Sequence, residues 1–248
     1  MTQLEAATLR APLIAKLERF VDLTGEERNC LLRLQGEFTG IREGSDIVTA
    51  GHSYRGLFVL CRGMAMRYKV LHDGRRHILN LILPGDLIGF PGCLFDSSLY
   101  SIASLSDAIV CPIAHEHLFT LFRQQPRLAT ALFWMVGQEA AMFAEHLVGV
   151  GRQTAYERIA HLLLELLVRL RAVGIADEHS YCLPMTQEQM ADALGLSAPH
   201  VNRTLRRLRE DGLVSLDGMR VTCVDVSALS RLADFNGATL SKRQIPGL

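Results

Sequence analysis

The chain has 248 residues, 49% of them hydrophobic and 21% charged, the make-up of a globular protein with one large domain or two modest ones. Its 26 Lys and Arg balance 26 Asp and Glu, which excludes a protein that coats nucleic acid over its whole surface but allows a local basic patch. The six cysteines are scattered without a C-x-x-C pair, so a zinc or iron–sulfur site built from close pairs is unsupported; single cysteines in apolar surroundings act as small buried hydrophobes.

The opening "MTQLEAATLRAPLIAKLERF" carries acids among its apolar residues and lacks the h-region of a signal peptide. The most apolar run, "LNLILPGDLIGFPGCLF", is broken by Pro84, Asp86 and Pro91, so no membrane span or membrane partner is expected. A cytoplasmic, reducing location is the resulting expectation.

Leu13 to Leu34 has helical spacing and is expected to pack on the outside of a β-rich region. That region runs from about Gly40 to Ile113, where the pattern becomes short strands separated by turns. "GLFVLCRGMAMRYKVL" reads as strand, "HDGRR" supplies an Asp73-Gly74 hairpin signal, and "HILNLIL" resumes a strand before "PGD" turns the chain again. Such spacing predicts a small β-barrel or roll within an α+β fold.

After Pro112 the pattern changes. "AHEHLFTLFRQQP" reads as a short helix, and Pro126 restarts the chain into a long helix from Arg127 to Val150. Ala129, Phe133, Val136, Ala140, Phe143, Leu147 and Val150 recur there at alternating spacings of four and three, a heptad seam expected to join two copies of the chain. Leu132, Met135 and Met142 form a second stripe beside it, suited to packing on the β-domain. A helix buried within one subunit would show the same periodicity, so that alternative stays open. Gly149 and Gly151 bracket the end of the helix and mark a boundary and hinge. The expected division is 1–125 for the roll with its flanking helices, 126–150 for the dimer helix, 151–235 for a third domain and 236–248 for a tail.

That third domain holds the most informative stretch. In "MTQEQMADALGLSAPHVNRTLRRLREDGLV", Thr186 followed by Gln189 makes a capping box for a helix through Leu194. Gly195 turns the chain, and Ser197 caps a second helix in which Pro199 takes an early, tolerated position. Val201, Leu205 and Leu208 form the apolar stripe of this helix, and Pro199, Asn202, Arg203 and Arg206 fall on the other face. The outer face suits a DNA major groove: arginine pairs in bidentate fashion with guanine, asparagine with adenine, and an apolar ring meets a thymine methyl. Thr186, Gln187, Ser197, His200, Arg207 and Arg209 are the candidates for phosphate contacts, together with the helix N-termini. "GLVSLDGMRVTC" then predicts a β-wing with an Asp217-Gly218 turn that brings Arg220 to the backbone. A solvated charged helix would account for the arginines alone; cap, turn, stripe and wing together point to a winged helix-turn-helix.

These segments, "GLFVLCRGMAMRY…DGRRHILNLILPGDLIG", "VGRQTAYERIAHLLLEL" and "LGLSAPHVNRTLRRLREDGLV", resemble the CRP/FNR transcription regulators over nearly everything from Gly40 to Ser230. The resemblance implies a cyclic-nucleotide-binding-like roll, a dimer helix and a winged helix. The implied partners are a palindromic double-stranded DNA site, a second copy of the chain and, for an activator, RNA polymerase. It also implies a signal in the roll that shifts the long helices and reorients the DNA-binding domains.

The departures from the family pattern are specific. The family's cyclic-AMP receptors place a glutamate after a glycine, and an arginine–serine pair about ten residues later; lined up from "GDLIG", the corresponding effector-pocket positions here are Gly89, Phe90, Tyr100 and Ser101. Lacking the glutamate for the ribose and the arginine for the cyclic phosphate, the chain is not expected to bind cyclic AMP; loss of that phosphate contact alone costs on the order of 1.5–3 kcal/mol. The N-terminal cysteine cluster of the iron–sulfur branch is reduced to Cys30. Pro199 stands where many members read a cytosine with glutamate, and Arg203 matches the base-reading arginine. No cofactor or metal is called for: His115 and His117 in "AHEHL" have no carboxylate at a spacing that completes a metal triad. No catalytic constellation is present, so an enzyme is not expected. A haem-gated or other small-molecule sensor of the same fold, or a pure protein-interaction module, are the remaining readings.

Overall fold

The computed structural model describes residues 3–53, 56–89, 96–237 and 240. The described residues of 3–69 and 80–137 form one compact unit, and those of 70–79 and 138–240 form another.

The first unit begins with helices α1 (Gln3–Leu17) and α2 (Gly25–Leu34). Thr24 starts α2 through a capping box: its hydroxyl accepts from the Glu27 amide, and the Glu27 carboxylate accepts from the Thr24 amide. Eight strands come next: β1 (Thr39–Ile41), β2 (Asp46–Val48), β3 (Leu57–Arg62), β4 (Ala65–Val70), β5 (Arg76–Ile82), β6 (Leu87–Ile88), β7 (Ser101–Ser104) and β8 (Ala108–Ile113). They form two four-stranded sheets, ordered β1-β8-β3-β6 and β2-β7-β4-β5. In the first sheet Val59 lies opposite Cys111, and in the second Arg67 lies opposite Ile102. The turn between β4 and β5 falls where "HDGRR" predicts it, with Gly74 at φ 84°. Helix α3 (His115–Gln124) and the first half of α4 (Pro126–Arg152) complete the unit.

Leu13 to Leu34 packs against one face of the β1-β8-β3-β6 sheet. The segment is split between two helices, and Leu13, Leu17, Phe20, Val21 and Leu31 are buried in one core with Leu57, Val59, Cys111, Leu128 and Leu132. Burial of each large apolar side chain contributes about 1.5–3 kcal/mol, so the buried faces of these helices hold them firmly on the sheet. The "PGD" turn shows how closely α1 approaches. Gly85 has φ 88°, and a Cβ there would sit 2.5 Å from the Pro12 carbonyl oxygen. Lys16 and Asp86 form an ion pair beside it.

In the second unit α5 (Ala155–Ala172) is started by a Thr154–Glu157 capping box. Ile159, Ala160, Leu163, Leu166, Leu167 and Leu170 are buried along it. The remaining elements are β9 (Ser180–Cys182), α6 (Gln187–Leu194), α7 (Ala198–Glu210), β10 (Val214–Asp217), β11 (Arg220–Cys223) and α8 (Val226–Leu232). The predicted two-stranded wing is a three-stranded sheet, order β10-β11-β9. Strand β9 closes the polar stretch "GIADEHSY" and forms because Tyr181 pairs with Val221, a partner forty residues away.

Candidate nucleic-acid interface

Local signals set the two helices of the motif. Thr186 accepts from the Gln189 amide at 3.1 Å, and the Gln189 side chain accepts from the Thr186 amide at 2.8 Å, closing the predicted capping box of α6. Gly195 ends α6 in the left-handed region at φ 62°, where a side chain would be strained. Its neighbour Leu196 donates to the Ala191 carbonyl at 3.0 Å, and Arg158 of α5 donates to the Leu194 carbonyl at 2.6 Å. These bonds satisfy carbonyls that the helix end would otherwise leave open.

Ser197 occupies the N-cap position of α7, as its sequence context predicts, but its hydroxyl makes no capping bond. The α7 N-terminus therefore begins with uncapped amides beside a serine hydroxyl, donors of the kind that phosphate oxygens accept. Val201, Leu205 and Leu208 are buried beneath α7, and Thr204 joins them. Pro199, Asn202, Arg203 and Arg206 are exposed, as are His200, Arg207 and Arg209. The apolar stripe and the polar face thus separate as the four-and-three spacing predicts.

The outer face is internally organised. Asn202 donates through Nδ2 to Gln187 Oε1 at 3.0 Å, linking α7 to the first residue of α6. Arg206 donates to Glu210 at 2.8 Å. Arg207 lies 4.6 Å over the Tyr156 ring and 3.7 Å from Asp211, and the Tyr156 hydroxyl donates to Asp211. Burial and that hydrogen bond push the Tyr156 phenol up to about 12, so it remains a donor at neutral pH. Among the described residues nothing pairs with Arg203 or Arg209. The tie between Arg207 and Tyr156 is invisible in the sequence; it joins residues fifty-one apart and has no local signature.

At the wing, Asp217 pairs with Arg220, so the loop is Gly218-Met219 rather than the Asp217-Gly218 pair expected from sequence. Gly218 supplies the positive φ, 56°, and Met219 is exposed at the tip. The Arg220 guanidinium forms an ion pair with Asp177 and donates to the Ser180 hydroxyl at 2.7 Å.

Helix α4 separates its two stripes. Leu132, Met135 and Met142 are buried, whereas Phe133 is 76% and Leu147 74% exposed, with Ala140 and Val150 also exposed and Val136 and Phe143 half-buried. In the second unit, His146 of α4 donates to Glu165 of α5 at 2.6 Å, and Arg169 donates to the other Glu165 oxygen at 2.8 Å. Burial would push the Glu165 carboxyl up; the hydrogen bond from His146 and the charges of His146 and Arg169 outweigh it and hold it at about 2. Burial likewise opposes charge on His146, but the bond to Glu165 prevails and raises its value. The sequence signal for this network is a carboxylate inside the apolar run "LLLELLVRL" with an arginine four residues on.

Of the candidate effector positions, Phe90 lies outside the described residues. Gly89 has φ 100°, and Tyr100 and Ser101 are buried. Ser101 accepts from the Ala50 amide at 3.0 Å. The Tyr100 ring lies 4.6 Å from the guanidinium of Arg67, which is only 1% exposed. A tyrosine at this candidate effector position is thus stacked on a buried arginine from β4. Nothing in "AMRYKV" marks that arginine as buried, because an arginine in a strand ordinarily faces solvent.

Residues 39–125 match the cyclic nucleotide-binding domain and residues 157–232 the Crp-like helix-turn-helix domain. The nitrogen fixation regulation protein FixK of Azorhizobium caulinodans is 34% identical over 71% of this chain and 71% of its own length. The transcriptional activator protein FnrL of Cereibacter sphaeroides is 28% identical over 81% of this chain and 80% of its own. The structure of FixK2 from Bradyrhizobium japonicum superposes with a TM-score of 0.71 at 26% identity, covering 79% of this chain and 96% of that one. A roll of the cyclic-nucleotide-binding type followed by a winged helix-turn-helix, with these relatives, makes the chain a member of the CRP/FNR family of DNA-binding transcription regulators.

Proposed function

We propose that the chain works as a homodimer on palindromic DNA, each copy placing α7 in one of two successive major grooves about 34 Å apart. The observation that carries this reading is the outer face of α7: Arg203, exposed and unpaired among the described residues, beside Pro199, Asn202 and Arg206, over a buried stripe of Val201, Leu205 and Leu208. Phosphates are held by Thr186, Gln187, Ser197, His200, Arg207 and Arg209 around this face. Arg220 contributes less, because Asp177 already neutralises it. Binding should be steeply salt-dependent: about 6–10 phosphate contacts imply a loss of about 10³–10⁵ in affinity between roughly 50 and 200 mM salt. Binding that ignores salt would instead identify α7 as a protein-docking surface.

The second copy covers the exposed stripe of α4, where Phe133 and Leu147 leave apolar area in water that a heptad partner would bury. Leu147→Asp places a charge in that seam and is expected to convert the dimer to a monomer, read as a halved mass by light scattering. An unchanged mass would move the interface elsewhere. The similarity to the transcriptional activator protein FnrL favours an activator, with RNA polymerase as its partner. The effector, if the roll takes one, is not cyclic AMP, since Tyr100 stands in place of the phosphate-binding arginine.

A further inference from the structure

We propose that Gln187 is a positioning residue for base reading: it fixes the Asn202 side-chain amide in the orientation that selects an adenine in each half-site. The proposal rests on the DNA-reading role of α7 and adds a residue of α6 to its specificity.

The geometry is a hydrogen bond of 3.0 Å from Asn202 Nδ2 to Gln187 Oε1, joining residues fifteen apart on the two helices of the motif. An asparagine side chain carries one acceptor oxygen and two N–H donors. With one N–H given to Gln187, the amide presents outward Oδ1 and one remaining N–H. That acceptor-and-donor pair complements the N6 amino group and N7 of adenine in the major groove. Without the tie, the terminal torsion of asparagine is broad and roughly two-fold. A half-turn exchanges oxygen and nitrogen, and the acceptor then faces N7, which cannot donate. Gln187 prevents that exchange and settles the torsion before DNA arrives.

The supports of Gln187 are themselves fixed. It is the first residue of α6, directly after Thr186, whose capping box sets where the helix begins. Asn202 stands on α7 one residue before Arg203, and its neighbour Val201 is fully buried, which holds the backbone beneath it. Pro199 accepts no hydrogen bond from a base, so discrimination near it depends on Asn202 and Arg203.

The test is selection of bound sequences from a random DNA pool with the full-length protein and four variants. Wild type is expected to prefer adenine at one position per half-site by about tenfold, within the range of one bidentate pair, and Asn202→Ala to lose that preference. Gln187→Ala should lower it to about twofold, with the other positions unchanged. Two further variants separate orientation from phosphate attraction. Gln187→Lys cannot accept from Asn202 but adds a positive charge, so affinity should rise while the adenine preference falls. Gln187→Glu still accepts from Asn202 but repels phosphate, so affinity should fall while the preference persists. A merely electrostatic or structural role would move all positions together in each variant. Retention of the adenine preference in Gln187→Ala and Gln187→Lys would overturn the proposal, as would an Asn202→Ala motif identical to wild type. Either leaves DNA reading by Arg203 intact, whereas a wild type that enriches no motif would overturn the DNA-reading role itself.

Discussion

Arg203→Ala is expected to weaken binding to the palindromic site by about 1–3 kcal/mol, roughly 5- to 150-fold, and to relax the preference at one base pair of each half-site. The size of the effect follows from the state of the side chain. Arg206 is held by Glu210 and Arg207 by Asp211 and the Tyr156 ring, so each must exchange an existing partner for DNA. Arg203 has no such partner among the described residues and sits between Asn202 and the buried Thr204, where α7 holds it outward. A bidentate pair with guanine O6 and N7 would then be gained without a compensating loss. Arg209→Ala should differ in kind: a smaller loss, equal for all sequences, with a salt slope reduced by about one phosphate contact. Fluorescence anisotropy on the selected site and its single-base variants separates the two patterns. Unchanged affinity and specificity in Arg203→Ala would remove it from the base-reading set.

Glu165→Ala is expected to cost about 3–5 kcal/mol of stability, because it removes a buried carboxylate that accepts from both His146 and Arg169. Glu165 is 2% exposed and holds both His146 and Arg169, so its removal breaks two contacts rather than one. Replacing the pair with apolar residues, Glu165→Leu with Arg169→Met, should recover much of the loss, since the buried Arg169 charge goes with it. Urea unfolding of the three proteins measures this directly; a single variant as stable as wild type would contradict it. The same network gives the stability a pH signature. The Glu165 carboxyl is held at about 2 when folded, against an ordinary 4.5, so its contribution is complete above pH 4.5 and is lost as pH falls toward 2. The raised value of His146 acts in the opposite window: its contribution is present below the ordinary imidazole value and is lost as pH rises through the raised one.

The parts of the fold legible in the sequence are those set by neighbours in the chain. The Thr186–Gln189 box, the left-handed Gly195 and the Val201, Leu205 and Leu208 stripe each depend on a few consecutive residues, and each stands where expected. The two stripes of α4 are also legible, because helical periodicity sorts Leu132 and Met135 from Phe133 and Leu147 without knowledge of the partner. The misplaced features depend on distant contacts. Strand β9 exists because β11 pairs with it. The Ser197 hydroxyl makes no cap although its sequence context favours one. On the DNA face, the residue types are legible but their commitments are not: that Asn202 is tied to Gln187, Arg207 to Tyr156 and Arg220 to Asp177 depends on tertiary placement alone.

Selection from a random pool by the purified protein, without added ligand, tests whether α7 reads DNA sequence as one of a symmetric pair. A palindromic motif is predicted, with half-site centres about 10–10.5 base pairs apart, roughly one helical turn, and one position in each half-site that depends on Arg203. Retention of DNA without enrichment of any motif, by a protein that is folded and dimeric, either alone or supplemented with cell extract to supply an effector, would contradict it.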